Sequence, residues 1–109
     1  MIPERGAVVK GPDLFADHSF RPYLRLSDES HPFVDEEALY AAVTTTERPE
    51  AVPLPDEAFV SGGLPRESYA NPWTIVSIRH ADLDDIEGQL DKQTTEVIAE
   101  AAAGYLGAL

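Results

Sequence analysis

The chain has 109 residues, with 8 Lys+Arg against 20 Asp+Glu, a formal net charge of −12 and no cysteine. That length suits one domain able to bury a core without disulfides or metal. The absence of thiols excludes disulfide staples, thiolate catalysis and cysteine-based zinc sites, and the acidity counts against holding a polyanion by bulk attraction.

Gly6 and Gly11 bracket "AVVK", a short strand over residues 7–10. "GPDLFADHSF" opens on a Gly-Pro turn signal and reads as a loop. "RPYLRL" is a second strand, with Tyr23 and Arg25 on one face and Leu24 and Leu26 on the other. Proline is permitted near a strand start, where no ladder donor is required. "SDESHP" breaks the pattern. "EALYAAVTTT" mixes helix-favouring Ala and Leu with a β-branched end, and a strand over 38–45 is the expectation. "ERPEAVPLP" gives a turn and then a short edge strand containing Pro53. "DEAFVSGGLPRES" reads as a turn-rich connection. "YANPWTIVSIRHAD" is the clearest strand. It places Trp73, Ile75 and Ser77 on one face and Thr74, Val76 and Ile78 on the other, with Pro72 marking a bulge. Asp91 is a good N-cap for a closing helix, whose periodicity sets Thr94, Ile98, Ala101 and Tyr105 on one stripe, with Ala102 and Leu109 beside it. Short strands with Gly/Pro turns and one helix predict a small β-barrel with a helix packed on it.

Aromatic and branched aliphatic residues remain frequent, so this is a folded acidic chain and not a disordered one. Lys10 and Lys92 are its only lysines. Such a surface favours a salt-rich cytoplasm, where self-repulsion is screened and net charge aids solubility. Mimicry of nucleic acid is the alternative. His18, His31 and His80 are too scattered for a metal motif. There is neither a signal-peptide pattern nor a run of about 18 apolar residues, and a soluble cytoplasmic protein is expected.

Read in order, the segments resemble the MazF/PemK (Kid-like) toxins of type II toxin–antitoxin systems. "RGAVVK" is similar to the family's opening "RGDIV", and "RPYLRLSD" to its "RPalVlS". "YAAVTTTERPEAVPLP" is similar to "vaPITs…fevplp", and "SGGLPRESYANPWTIVSIRHADL" to "GLPkdSvvl…qvrtvdksrL". "GQLDKQTTEVIAEAAAGYLGAL" is similar to the C-terminal "G.Ls.e.l..v..al..llgl". The likeness spans almost the whole chain. It implies a mainly β, SH3-like barrel over about residues 5–82 with a C-terminal helix over about 91–107, in one domain. It also implies a homodimer, metal-independent cleavage of single-stranded RNA, no cofactor, and a cognate antitoxin that blocks the site. The alternative is a catalytically inactive relative that binds nucleic acid or protein.

Such cleavage uses the 2′-OH as nucleophile. It needs a base for that hydroxyl, an acid for the leaving oxygen, and a cation for charge growing on the phosphoryl oxygens. The arginine fork suits the last role. The family's "RP" arginine and "PIT" threonine fall on Arg21 and Thr45, with Thr44 and Thr46 one position either side. Asp17 or His18 is the candidate proton-transfer group. Arg25, Trp73 and Arg79 are candidate RNA contacts, Trp73 by stacking a base. Each also has a plain reading: Arg21 as a strand-start arginine paired with Asp17, Arg25 as a surface strand residue, Trp73 as a core aromatic. Two departures from the family stand out. The loop before "RP" lacks the family's glycines and glutamate, and Trp73 occupies about the place of an expected acid.

Overall fold

The computed structural model describes residues 1–16 and 19–108. Seven strands and one helix follow in the order β1 (Ala7–Pro12), β2 (Phe20–Arg25), β3 (Glu37–Thr44), β4 (Val52–Pro53), β5 (Phe59–Gly62), β6 (Tyr69–Arg79), β7 (Asp85–Leu90) and α1 (Lys92–Tyr105). The strands make one curled sheet in the order β4-β6-β3-β2-β1-β7-β5, and every neighbouring pair is antiparallel. This is the mainly β architecture with a C-terminal helix that the sequence predicts. β4, with Pro53, lies at the sheet edge as expected.

The sheet is buried on both faces. On the helix side, Val8, Leu24, Val43, Ala70 and Leu90 pack with Ile98 and Ala102 of α1. On the other side, Ala7, Val9, Tyr23, Ala38, Tyr40 and Ile78 form a second cluster. The alternation in β1 and β2 divides neighbouring residues between the two clusters: Val8 and Leu24 go one way, Val9 and Tyr23 the other. β6 obeys the same rule beyond Pro72, with Ile75 joining the helix-side cluster and Val76 and Ile78 the other. The bulge expected at Pro72 is present: Ala41 pairs with Ile75, while the next residue, Ala42, pairs with Asn71.

Burial pushes the Tyr40 phenol up to about 12 and raises Tyr23 as well. Both therefore stay protonated at neutral pH. The Tyr23 hydroxyl donates to the Pro12 carbonyl at 2.6 Å and accepts the Leu14 amide at 3.3 Å. It ties the start of the loop after β1 to the middle of β2.

Three sequence expectations are corrected. "DEAFVSGGLPRES" contains β5, and the sheet continues past residue 82 through β7. Glu87, Gly88 and Gln89 are poor strand formers. Their strand exists because β1 and β5 pair with it from both sides. The buried residues of α1 are Thr95, Ile98 and Ala102: Ile98 of the expected stripe and Ala102 beside it are buried, while Thr94, Ala101 and Tyr105 are not. The buried face is thus turned from the expected one, toward the side that packs on the sheet, and the Thr95 hydroxyl on it bonds the Asp91 carbonyl of the first turn at 2.9 Å.

Asp91 caps α1 as expected, its carboxylate accepting the Thr94 amide at 2.6 Å. That bond holds the carboxyl below its ordinary value of 3.8. The cap is therefore complete above that pH and is lost as pH falls through the lower folded value. Asp91→Ala is expected to speed amide exchange in the first turn of α1 at neutral pH and to narrow its difference from wild type as the buffer is acidified below 3.8. Exchange rates equal to wild type at neutral pH would show that the cap contributes nothing.

Candidate active site

Arg21 lies near the start of β2, where the strand leaves the loop that follows β1. Its Nη2 donates to the carbonyl of Val43, near the end of β3, at 3.0 Å. Its Nη1 stands 3.9 Å from the Asp13 carboxylate, and the guanidinium sits 5.0 Å from the centre of the Phe15 ring. Asp13 in turn accepts the amides of Phe15 and Ala16 at 2.9 and 3.1 Å, which turns the loop so that Phe15 faces the guanidinium. These contacts hold the fork in one orientation. The Arg21 Nε–H is buried and has no hydrogen-bond partner among the described residues.

Thr45 follows β3 directly. The Thr44 hydroxyl accepts the Thr46 amide at 3.1 Å, closing a tight turn that leaves Thr45 exposed between them. Arg21 and Thr45 meet in a cleft of about 240 Å³. Phe20, Pro22, Leu64 and Pro65 give it an apolar wall, Lys10 and Arg66 add positive charge, and Ser68 and Glu87 complete the lining. Among the described residues the cleft thus carries three cations and one carboxylate, in a chain of net charge −12. Lys10 also lies 5.2 Å from the centre of the Phe20 ring, and its ammonium is 3.7 Å from Asp84.

The wall formed by Leu64, Pro65 and Arg66 is held against β7 by two glycines. Gly62 has φ +62°, a left-handed conformation that favours glycine. It faces Gly88 across the β5–β7 pair. A Cβ on Gly88 would stand 2.8 Å from the Gly63 nitrogen and 2.9 Å from the Ser61 oxygen. The backbones therefore approach too closely for a side chain, and the Gly63 amide bonds the Glu87 carbonyl at 3.1 Å.

A larger groove of about 630 Å³ lies beside the cleft, separated by the ridge of Leu64, Pro65 and Arg66. Its lining includes Glu47, Asp56, Glu57 and Glu67. Four carboxylates against Arg66 repel a phosphate backbone, so the smaller cleft is the one suited to a phosphodiester. Among the described residues, no group of three or more His, Asp or Glu is placed to hold a metal ion.

The whole chain superposes on solved structures. An endoribonuclease from a mycobacterial species, in complex with its cognate antitoxin, matches with a TM-score of 0.76 and 25% identity over 99% of this chain and 96% of that one. A second mycobacterial endoribonuclease matches with a TM-score of 0.73 and 27% identity over 98% of this chain and 93% of that one. The Mycobacterium tuberculosis toxin MazF-mt6 matches with a TM-score of 0.70 and 25% identity over 93% of this chain and 96% of that one. The chain has a MazF-like fold. No protein-family model and no curated protein matches its sequence.

In this MazF-like chain the fold brings together two of the nine candidate site residues, Arg21 and Thr45. Thr44 and Thr46 flank the cleft without lining it, and Thr44 is engaged in the turn. Asp17 and His18 lie outside the described residues. Arg25, expected on the surface as a strand residue or an RNA contact, is only 2% exposed. Its Nε donates to the Ser27 carbonyl at 3.0 Å and its Nη1 to the Pro3 carbonyl, so it cannot reach RNA. Alternation places it with Tyr23, and that face is a second core rather than solvent. Trp73 packs edge-on against Tyr105 at 6.1 Å between ring centres, away from the cleft. Arg79 pairs with Asp82 at 3.1 Å beyond the end of β6.

Sequence reasoning missed Lys10, Arg66 and Glu87. Lys10 and Arg66 had a readable signal: they are two of only 8 cations, and each lies in a segment carrying the family likeness. Glu87 had none, being one acid among 20 Asp+Glu in an unrecognised strand.

Proposed function

We propose that this chain is a toxin-type endoribonuclease. It cleaves single-stranded RNA by attack of the 2′-OH on the adjacent phosphorus, without a metal ion, and a cognate antitoxin neutralises it by covering the cleft. The observation that carries this reading is the convergence of Arg21 and Thr45, with Lys10 and Arg66, in one cleft of an otherwise strongly acidic protein. Arg21 binds the phosphoryl oxygens as negative charge grows on them, because its fork is already oriented by Val43 and Phe15. Thr45 donates its hydroxyl to the same phosphate and fixes its position. The apolar wall suits the face of a base next to the scissile bond.

The reading includes a salt-rich cytoplasm. At about 1 M salt the Debye length is roughly 3 Å. Repulsion between RNA and the acidic shell then vanishes beyond contact, and short-range arginine contacts decide binding. It also includes a homodimer, for which exposed Val97, Tyr105 and Leu106 of the helix region, with Trp73, offer an apolar surface.

The test is incubation of the purified protein with unstructured RNA in molar KCl containing a chelator, with mapping of the new ends. Cleavage leaving a 2′,3′-cyclic phosphate and a 5′-hydroxyl is expected, abolished by the antitoxin. Binding of RNA without cleavage would replace the enzyme by a binding module. Neither binding nor cleavage would remove the nucleic-acid reading altogether.

A further inference from the structure

A 2′-OH nucleophile must lose its proton, and neither Arg21 nor Thr45 accepts one readily at neutral pH. Of the described residues lining their cleft, Glu87 alone carries a carboxylate. Its place in β7 is irregular. Val8 pairs with Gly88 and Val9 with Ile86, so Glu87 is the extra residue of a β-bulge and has no partner on β1. A bulge re-aims a side chain that regular pairing would commit to a sheet face, and such features collect beside active sites. This one is held firmly, since the Glu87 carbonyl accepts the Gly63 amide at 3.1 Å and the neighbouring Gly88 admits no side chain.

Two described acids beside the cleft are engaged by other groups, and Glu47 and Glu67 line the neighbouring groove instead. Asp13 accepts two amides of its own turn, and Asp84 faces the Lys10 ammonium. The Glu87 carboxylate makes no ion pair or hydrogen bond among the described residues. Among the described residues it is the one negative group of a cleft whose cations attract the phosphate, so a phosphate oxygen is repelled from it and a hydroxyl proton is drawn to it.

We propose that Glu87, the carboxylate among the described residues lining this cleft, is the general base of the reaction. This rests on the endoribonuclease reading above. A Glu87 carboxylate oxygen takes the 2′-OH proton as the 2′-oxygen bonds to phosphorus. The bond from phosphorus to the 5′-oxygen breaks, and that oxygen takes a proton from a water molecule at the open mouth of the cleft. The hydroxide so formed removes the proton from the Glu87 carboxylic acid. The base is regenerated and no water is consumed.

The experiment compares wild type with Glu87→Gln and Glu87→Asp in single-turnover cleavage across pH, alongside binding of a non-cleavable RNA carrying a 2′-deoxy residue at the scissile position. The expected result is a fall of about 10²–10⁴-fold in the rate for Glu87→Gln, with the acidic limb of the pH profile removed and affinity for the deoxy RNA unchanged. Glu87→Asp is expected to be slower than wild type and to keep an acidic limb. Should the glutamine variant not fold, the aspartate variant decides alone, because a rate and profile identical to wild type there would overturn the role. A Glu87→Gln rate within about threefold of wild type, with the same profile, overturns the proposal. So does a rate loss matched by an equal loss of affinity for the deoxy RNA, which marks a structural part. Wild-type protein inactive on every RNA overturns the endoribonuclease reading itself, and that outcome is distinct from the other two.

Discussion

Arg21→Ala is expected to lower the RNA-cleavage rate by about 10²–10³-fold, the usual consequence of deleting one preorganised donor to a charge that grows in the transition state. The fork reaches the cleft from a strand start, with Nη2 fixed by Val43 at 3.0 Å and the guanidinium plane opposite Phe15. No reorganisation is then needed when the phosphoryl charge develops. The side chain is partly exposed, and the truncation removes one hydrogen bond to a strand carbonyl, worth about 1 kcal/mol. The variant therefore folds, and its melting curve and circular dichroism control for that. Arg21→Lys is expected to recover little of the loss. An ammonium keeps the charge but lacks the planar set of donors. Full activity in Arg21→Ala would place the chemistry outside this cleft, and with it the roles of Thr45 and Glu87.

Ile98→Ala is expected to destabilise the fold by about 2–5 kcal/mol. Ile98 is 0% exposed and lies in the cluster that joins α1 to Val8, Leu24, Val43, Ala70 and Leu90. Truncation leaves a void under a helix that is tethered at its N-terminus by the Asp91 cap and at its midpoint by this one large side chain, since its buried neighbours are Thr95 and Ala102. A domain of this size holds only about 5–15 kcal/mol in total. The loss is read as a lower denaturation midpoint with an unchanged slope against denaturant. Because the term is apolar, it persists in molar salt, where the surface ion pairs Arg79–Asp82 and Lys10–Asp84 are screened. A loss under about 1 kcal/mol would mean that the helix contributes little to the core.

Much of the fold was legible because local rules and tertiary packing agree there. "AVVK", "RPYLRL" and "YANPWTIVSIRHAD" alternate, and the two faces of the resulting sheet each find a core. Asp91 stands where a cap belongs and makes the capping bond. β5 and β7 were not legible, because their glycines and polar residues carry no strand signal and their order comes from pairing with β1 and with each other. Arg25 was misread for a related reason. A cation in an alternating strand suggests a solvent face, and only the second apolar cluster beneath β2 and β3 shows that this face is closed.

The candidate site divides in the same way. Taken alone, the sequence determined that one small acidic domain would form, mainly β with a capped C-terminal helix, and that Arg21 and Thr45 were the residues to watch. It did so because strand alternation, helix capping and the order of the family's segments are properties of neighbours along the chain. Only the tertiary structure decided which cations converge. Lys10 from β1, Arg21 from β2, Thr45 after β3, Arg66 after β5 and Glu87 from the bulge of β7 meet because the sheet curls and the β5–β7 glycines let two backbones touch. A charge's partners are set by distance in space, and 20 Asp+Glu spread along 109 residues give no hint of which carboxylate will line the cleft with Arg21.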